Sequence, residues 1–310
     1  MALYVVTGAA GFIGSHLVDA LLAAGHAVRG VDDFSTGRPE NLDSRSQIIR
    51  ADVADPLAMR RALQGAAGCF HLAAIASVAR TNEDWLGTHR TNQTGSITVF
   101  EAARHGGRMP IVYASSAAVY GDLGGRVARE DMRPAPLTAY GADKLGSELH
   151  GAAAWLVHRV PTFGLRFFNV YGPRQNPCSP YSGVISIFAQ QAATGGVMTI
   201  HGDGRQLRDF VHVSDVVAHL LAAMRLLEAQ PRAGVANVCT GQATSLLELA
   251  ATLGALHGRA PVLVHGPARV GDIPSSLGDP ARAVALLGMR AEVPLASGLA
   301  MLARARSVAA

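Results

Sequence analysis

The chain has 310 residues, 49% hydrophobic and 16% charged, so a substantial core is within reach and global disorder is excluded. Its formal charge is +4, but the arginines are scattered without a basic run or interleaved aromatics, which argues against nucleic acid and suits a small anionic ligand. No apolar run reaches the roughly 18 residues that cross a bilayer, and the chain opens directly on a strand pattern, so a cytoplasmic protein with no leader and no membrane partner is expected.

Leu3-Tyr4-Val5-Val6 reads as a short buried strand. Thr7-Gly8-Ala9-Ala10-Gly11-Phe12-Ile13-Gly14 turns it straight into a helix near Ser15, with an apolar stripe at Leu17, Leu21 and Leu22. Gly8 permits the tight turn, Gly11 lets backbone approach a diphosphate, and Gly14 lets the helix pack closely on the strand. The diphosphate then meets free N–H groups at the positive end of a helix. A second strand, Ala27–Val31, ends in Asp32, about 20 residues past the turn, where a carboxylate accepts hydrogen bonds from ribose hydroxyls. That order of elements is a Rossmann dinucleotide-binding unit. Asp32 would repel a ribose phosphate, so NAD is expected rather than NADP.

Asp33-Phe34-Ser35-Thr36-Gly37 is a polar loop placed to wrap the adenosine end, although Ser35 and Thr36 equally suit a turn. Gln47–Ala51 reads as a third strand, closed by Asp52-Val53. Asp52 is either a loop acid near the adenine amino group or the N-cap of a helix from Pro56. Cys69–Ala74 reads as a fourth strand whose small end residues allow close passage beneath a cofactor, with His71 packed inside it. A helix over Thr91–Arg104 and a fifth strand over Pro110–Ala114 follow. Strands alternating with helical stretches imply an α/β fold with a doubly wound parallel sheet. Cys69, Cys178 and Cys239 lack metal-ligand spacing and read as buried small residues, so no metal is expected.

The chemistry comes next. Ser115-Ser116-Ala117-Ala118-Val119-Tyr120-Gly121 leaves the end of the fifth strand, where open α/β sheets bind ligands. Tyr140-Gly141-Ala142-Asp143-Lys144 then opens a helix that runs to about Arg159. Residues four apart share a helix face, so phenol and ammonium lie side by side. A neighbouring cation favours phenolate and lowers the tyrosine pKa from ~10, giving a base usable near neutral pH.

Together with Arg166-Phe167-Phe168-Asn169-Val170-Tyr171-Gly172-Pro173-Arg174 and Arg208-Asp209-Phe210-Val211-His212-Val213, these motifs resemble the extended short-chain dehydrogenases. Within them they are most similar to the NAD-dependent nucleotide-sugar 4-epimerases of the UDP-galactose epimerase type, from Val5 to about Leu287. The resemblance implies an NAD site lined by Gly8, Gly11, Phe12, Ile13, Gly14, Asp32, Asp33, Ser35, Thr36, Gly37, Asp52, Val53, Leu72, Ala73, Ala74, Asn92 and Phe168. It makes Ser116 the catalytic serine, Tyr140 the base and Lys144 its partner, with Lys144 also on the nicotinamide ribose. Asn169, Arg208 and Arg269 would hold the substrate's diphosphate, Phe210 with Thr199 and His201 would face uridine, and Asp272 would meet the uridine ribose. By the same resemblance Tyr140 removes the 4-hydroxyl proton as hydride leaves carbon 4. A 4-keto sugar then turns over and takes the hydride back on its other face.

Two departures from that family matter. Ala76 stands where relatives often carry a lysine on the cofactor phosphates, and Ser276 where narrow-specificity galactose enzymes carry a tyrosine. The small Ser276 implies room for an acetamido group, hence UDP-N-acetylglucosamine and UDP-N-acetylgalactosamine, with UDP-glucose and UDP-galactose also accepted. Ala117 and Ala118 replace the acidic pair of 4,6-dehydratases, and Ala118 the glutamate of sugar-nucleotide decarboxylases. A UDP-glucuronate 4-epimerase, with Arg174 or Arg80 meeting the carboxylate, and a non-catalytic NAD-binding regulator are the alternatives. The expected organisation is an NAD domain over 1–168 and a mainly UDP-sugar-binding lobe over 169–310, with 209–241 crossing back. By resemblance, helices near Thr91–Arg104 and Ala142–Arg159 pair into the four-helix interface of a homodimer.

Overall fold

In the computed structural model, which describes residues 1–176, 183–268 and 272–308, seven strands form one sheet. Their spatial order is Ala233–Val238, Thr162–Phe167, Ile111–Ser116, Gly68–His71, Leu3–Thr7, Ala27–Asp32 and Gln47–Arg50. Every neighbouring pair is parallel. Crossover helices cover both faces, as parallel sheets require. Phe12–Ala23 and Val213–Ala229 pack together on one face, and Pro56–Leu63, Gly95–His105 and Ala139–His158 on the other. The order reverses between Leu3–Thr7 and Gly68–His71, which opens a crevice at the carboxyl ends of the strands.

Several boundaries differ from the sequence reading for local reasons. The fourth strand stops at His71 rather than Ala74, because Thr7, paired with His71, is the last residue before the first strand turns away at Gly8. Leu72–Ser77 therefore runs on as irregular chain along the crevice. The first helix begins at Phe12 with Gly11 as its N-cap. The helix bearing Tyr140 begins at Ala139, because the Thr138 hydroxyl accepts from Gly141 N–H, 3.1 Å. The helix expected from Thr91 begins as a π turn over Arg90–Thr94 and becomes α over Gly95–His105. Asp55, not Asp52, caps Pro56–Leu63, accepting from the N–H groups of Leu57 and Ala58.

Asn169–Tyr171, Leu207–His212, Ala243–Ser245 and Ser275–Ser276 make a smaller mixed sheet, and Val197–His201 pairs with Val262–Gly266. Tyr171, Phe188, Phe210 and Leu299 fill the core beside the small sheet. The chain passes from Leu207–His212 through Val213–Ala229 back into the large sheet at Ala233–Val238. Fully buried Asp209 fastens the return: Oδ1 accepts from Thr240 N–H (2.8 Å) and Oγ1 (2.7 Å), and Oδ2 from Gly241 N–H (2.9 Å).

Candidate active site

A cavity of about 520 Å³ follows the carboxyl ends of the strands across the crevice. Its centre is the glycine turn. Gly8 has φ +70°, and a Cβ there would stand 2.8 Å from Ala73 N. A Cβ on Gly14 would collide with the Gly8 carbonyl oxygen. The first N–H groups of a helix have no partner within it, and no side chain caps them at Gly11. A cradle with no Cβ and open N–H donors fits the diphosphate of a dinucleotide.

Asp32, Asp33, Ser35, Thr36 and Val53 line one end. Asp32 is buried and oriented by backbone: Oδ2 accepts from Ala10 N–H and Oδ1 from Phe34 N–H, each 2.9 Å. Burial pushes its carboxyl above the usual range, and those two N–H groups pull it back. Phe12, Ile13 and Leu72–Ala74 line the middle.

Ser116, Tyr140, Lys144 and Phe168 line the other end. Lys144 Nζ donates to the Ala114 carbonyl, 2.9 Å, and lies 5.8 Å from the centre of the Tyr140 ring. Burial lowers Lys144 to about 8, opposed by Asp143. The expected lowering of the Tyr140 phenol is not found. Burial raises it, while a hydrogen bond with Ser116 pulls the other way. The reason is that removal from water penalises both charged forms, ammonium and phenolate alike, and the ammonium is turned to the Ala114 carbonyl. His71 lies buried in the adjacent strand, its Nδ1 paired with Thr7 Oγ1 (2.8 Å) and its Nε2 with Ser96 Oγ (3.1 Å).

Three expected cofactor residues stand outside the cavity wall. Asn92 is buried in the π turn and spends its amide on Ile75: Oδ1 accepts from Ile75 N–H, 2.8 Å, and Nδ2 donates to Ile75 O, 3.2 Å. Asp52 accepts from Ala54 N–H and pairs with Arg90, 3.0 Å. Gly37 backs Asp32, where a Cβ would lie 2.6 Å from Oδ1.

Of the expected substrate residues that the structure describes, Ser116 and Tyr140 alone line this cavity. The small sheet sets Asn169 beside Phe210 and Ser276 beside Arg208 in register. Arg208 is ion-paired with Asp272. Asn169 Nδ2 donates to the Asp209 carbonyl, 3.2 Å. Phe210 is buried against a small cleft with Thr240, Gln242 and Pro294. Thr199 is exposed, and the His201 carbonyl accepts from Gln206 Nε2, 2.8 Å. Arg269 and Cys178 lie outside the described residues.

A nucleotide-binding turn and a Ser-Tyr-Lys group in one crevice are the arrangement of a Rossmann-fold enzyme. Residues 4–239 match the NAD dependent epimerase/dehydratase family, and the chain belongs to that family. The UDP-glucose 4-epimerase of Mycolicibacterium smegmatis is 38% identical over 304 residues, 95% of each chain. The UDP-N-acetylglucosamine 4-epimerase of Methanobrevibacter ruminantium, solved with UDP-N-acetylmuramic acid, has a TM-score of 0.93 at 29% identity, covering 100% of this chain and 99% of that one. The UDP-glucuronic acid 4-epimerase of Bacillus cereus, solved with UDP-glucuronic acid and NAD, has a TM-score of 0.89 at 30% identity, covering 99% of this chain and 100% of that one. NAD is the cofactor of this enzyme.

Beneath the site, burial and then Lys144 push His71 down from 6.5 to about 3. Between those values the unfolded chain carries a proton on this residue that the folded chain does not, so stability falls as pH drops through the window. His71→Gln should flatten that loss in urea titrations at pH 7 and pH 4.5. An equally steep loss in the variant would remove His71 as its source.

Proposed function

We propose that this NAD-dependent nucleotide-sugar 4-epimerase inverts carbon 4 of a UDP-hexose. Its preferred pair is UDP-N-acetylglucosamine and UDP-N-acetylgalactosamine, with UDP-glucose and UDP-galactose also accepted. The observation that carries the reaction is the convergence of Ser116, Tyr140 and Lys144 on the cavity that holds the glycine turn. Gly8, Gly11 and the first turn from Phe12 receive the cofactor diphosphate, and Asp32 receives the adenosine ribose with Asp33, Ser35 and Thr36 beside it. Val53, Leu72, Ala73 and Ala74 flank the cofactor, and Lys144 and Phe168 border the nicotinamide end. Bound NAD supplies a hydride acceptor that is restored in each turnover and, when oxidised, a positive ring.

Tyr140 takes the proton from the sugar's 4-hydroxyl and later returns it. Ser116 hydrogen-bonds the same oxygen, and Lys144 sets the phenol's orientation and local charge. Because burial raises the free phenol, the base forms when cations gather around it in the filled site. A regulator that merely sensed NAD would not need this group. Residues 1–168 act as the NAD domain and 169–310 mainly as the sugar-nucleotide lobe, with 209–241 passing between them. Arg208 and Arg269 meet the substrate's diphosphate, Asn169 supports them, Phe210, Thr199 and His201 border uridine, and Asp272 meets its ribose.

The substrate preference is argued from volume. Ser276 is half-buried and in register with Arg208; by the family resemblance it stands where a tyrosine would exclude an acetamido group, and its small hydroxyl would not. UDP-glucuronate, the second reading, needs a cation for its carboxylate. Of the two candidate cations on the cavity, Arg174 is already paired with Asp19 at 2.7 Å and Arg80 stands on the helix entered from the stretch beside the glycine turn, which favours an uncharged sugar.

The protein acts as a homodimer. Leu149 and Leu156, one face of helix Ala139–His158, are 64% and 68% exposed, with Trp85 and Leu86 uncovered nearby in sequence to the partner helix. Light scattering at micromolar concentration should give twice the chain mass; a monomer would overturn this interface.

Tyr140→Phe should keep NAD bound and lower turnover by about 10²–10⁴-fold. Near-normal turnover would mean that another residue is the base. With each UDP-sugar, NMR should resolve both 4-epimers for the acetamido and the plain hexoses. Ser276→Tyr should suppress the acetamido reaction and spare the plain one. A wild-type enzyme that epimerises UDP-glucose but leaves UDP-N-acetylglucosamine untouched would refute the volume argument.

A further inference from the structure

Basic side chains at four positions line the main cavity: Arg38, Arg80, Lys144 and Arg174. Lys144 is engaged by the Ala114 carbonyl and Arg174 by Asp19. Arg38 is exposed and stands at the adenosine end, on the loop after Asp32. Arg80 differs from all of them. It is half-buried, and among the described residues its guanidinium has no hydrogen-bond or ion-pair partner. A guanidinium carries five N–H donors and a permanent charge, so partial burial without an anion leaves donors unspent.

Its position says which anion would use them. Arg80 lies in the short helix Val78–Glu83, entered directly from Ala73–Ser77, the stretch that runs along the cavity beside the glycine turn. The approach is close: Ala73 N would be 2.8 Å from a Cβ on Gly8. The Ser77 hydroxyl accepts from Arg80 N–H, 3.1 Å, and the Thr81 hydroxyl donates to Ser77 O, 2.7 Å, which fix the start of the helix against that stretch. Ala76, in the same stretch, brings no charge. The uncapped N–H groups from Phe12 thus offer neutral donors to a diphosphate, and among the described residues Arg80 is the half-buried cation on the cavity that has no partner.

We propose that Arg80 binds the diphosphate of NAD, supplying the positive charge that the glycine turn lacks. The inference rests on NAD being the cofactor and adds a residue to its site. Charge-assisted hydrogen bonds of this kind are stronger than neutral ones and are weakened by salt where partly exposed.

The test is calorimetric titration of nucleotide-stripped wild type, Arg80→Gln and Arg80→Lys with NAD, ADP-ribose and adenosine. Arg80→Gln should bind NAD and ADP-ribose about tenfold or more weakly at low salt, with the deficit shrinking as salt rises. Adenosine, which has no diphosphate, should bind both proteins equally, and Arg80→Lys should recover part of the loss. An equal loss for adenosine would show that Arg80 only shapes the wall, and overturn the proposal. So would unchanged ADP-ribose binding with a raised KM for the UDP-sugar, which would hand the guanidinium to the substrate's diphosphate. Failure of the wild type to bind ADP-ribose at all would strike the NAD reading itself.

Discussion

The buried ammonium of Lys144 sets the terms for the reactive end of this protein. A charge taken from water must be hydrogen-bonded or it neutralises itself, and here the Ala114 carbonyl receives it two residues before the end of strand Ile111–Ser116. That bond fastens helix Ala139–His158 to the strand end that carries Ser116. Tyr140, Lys144 and Glu148 lie four residues apart and so share one helix face. Glu148 repeats the fastening a turn further on: Arg166 donates to it through Nε (2.8 Å) and Nη2 (2.7 Å), and the Ser115 hydroxyl donates to Oε1. Phenol, ammonium and carboxylate thus grip one strand end in sequence.

Such pairs are poor sources of net stability but costly to break from one side, at about 3–5 kcal/mol when a buried charge loses its partner. Their value here is geometric. Glu148 and Arg166 are 7% and 3% exposed, and the Arg166 guanidinium also lies 4.8 Å from the Tyr120 ring centre. Sliding the helix by one residue would strand an ion in the core, so the register of Tyr140 over Ser116 has few alternatives. Asp209 acts in the same way in the small sheet, where its carboxylate holds Thr240 and Gly241 as the chain leaves the large sheet.

The parallel sheet, the glycine turn and the gathering of Ser116, Tyr140 and Lys144 on one cavity were legible in the sequence because each is encoded within a few residues of chain. Apolar strand runs, glycines at turn spacing and a Tyr-to-Lys interval of four all carry local physical meaning. What escaped was long-range. The Glu148–Arg166 pair and the Asp209 clamp join residues with no shared spacing, and the only hint was charge inside otherwise apolar runs. Asn92 resembles a cofactor contact in sequence, yet its amide imitates a backbone strand partner for Ile75. The sign of the Tyr140 shift escaped too, because helix spacing reports a neighbour's charge but not the burial that outweighs it.

Substrate choice is harder to read because permission and preference leave different traces. A bulky side chain can reject a sugar outright, whereas a small one such as Ser276 only ceases to reject it. Relatives of comparable likeness accordingly carry names that span glucose, N-acetylglucosamine and glucuronate. Charge is the sharper criterion. In the free protein Arg208 is tied to Asp272, its side chain only 12% exposed, and Arg174 to Asp19. An entering anion must compete with a carboxylate for either guanidinium, and a diphosphate, with two negative charges, competes better than a single carboxylate. Each carboxylate thus holds its guanidinium in place until a ligand's anion displaces it.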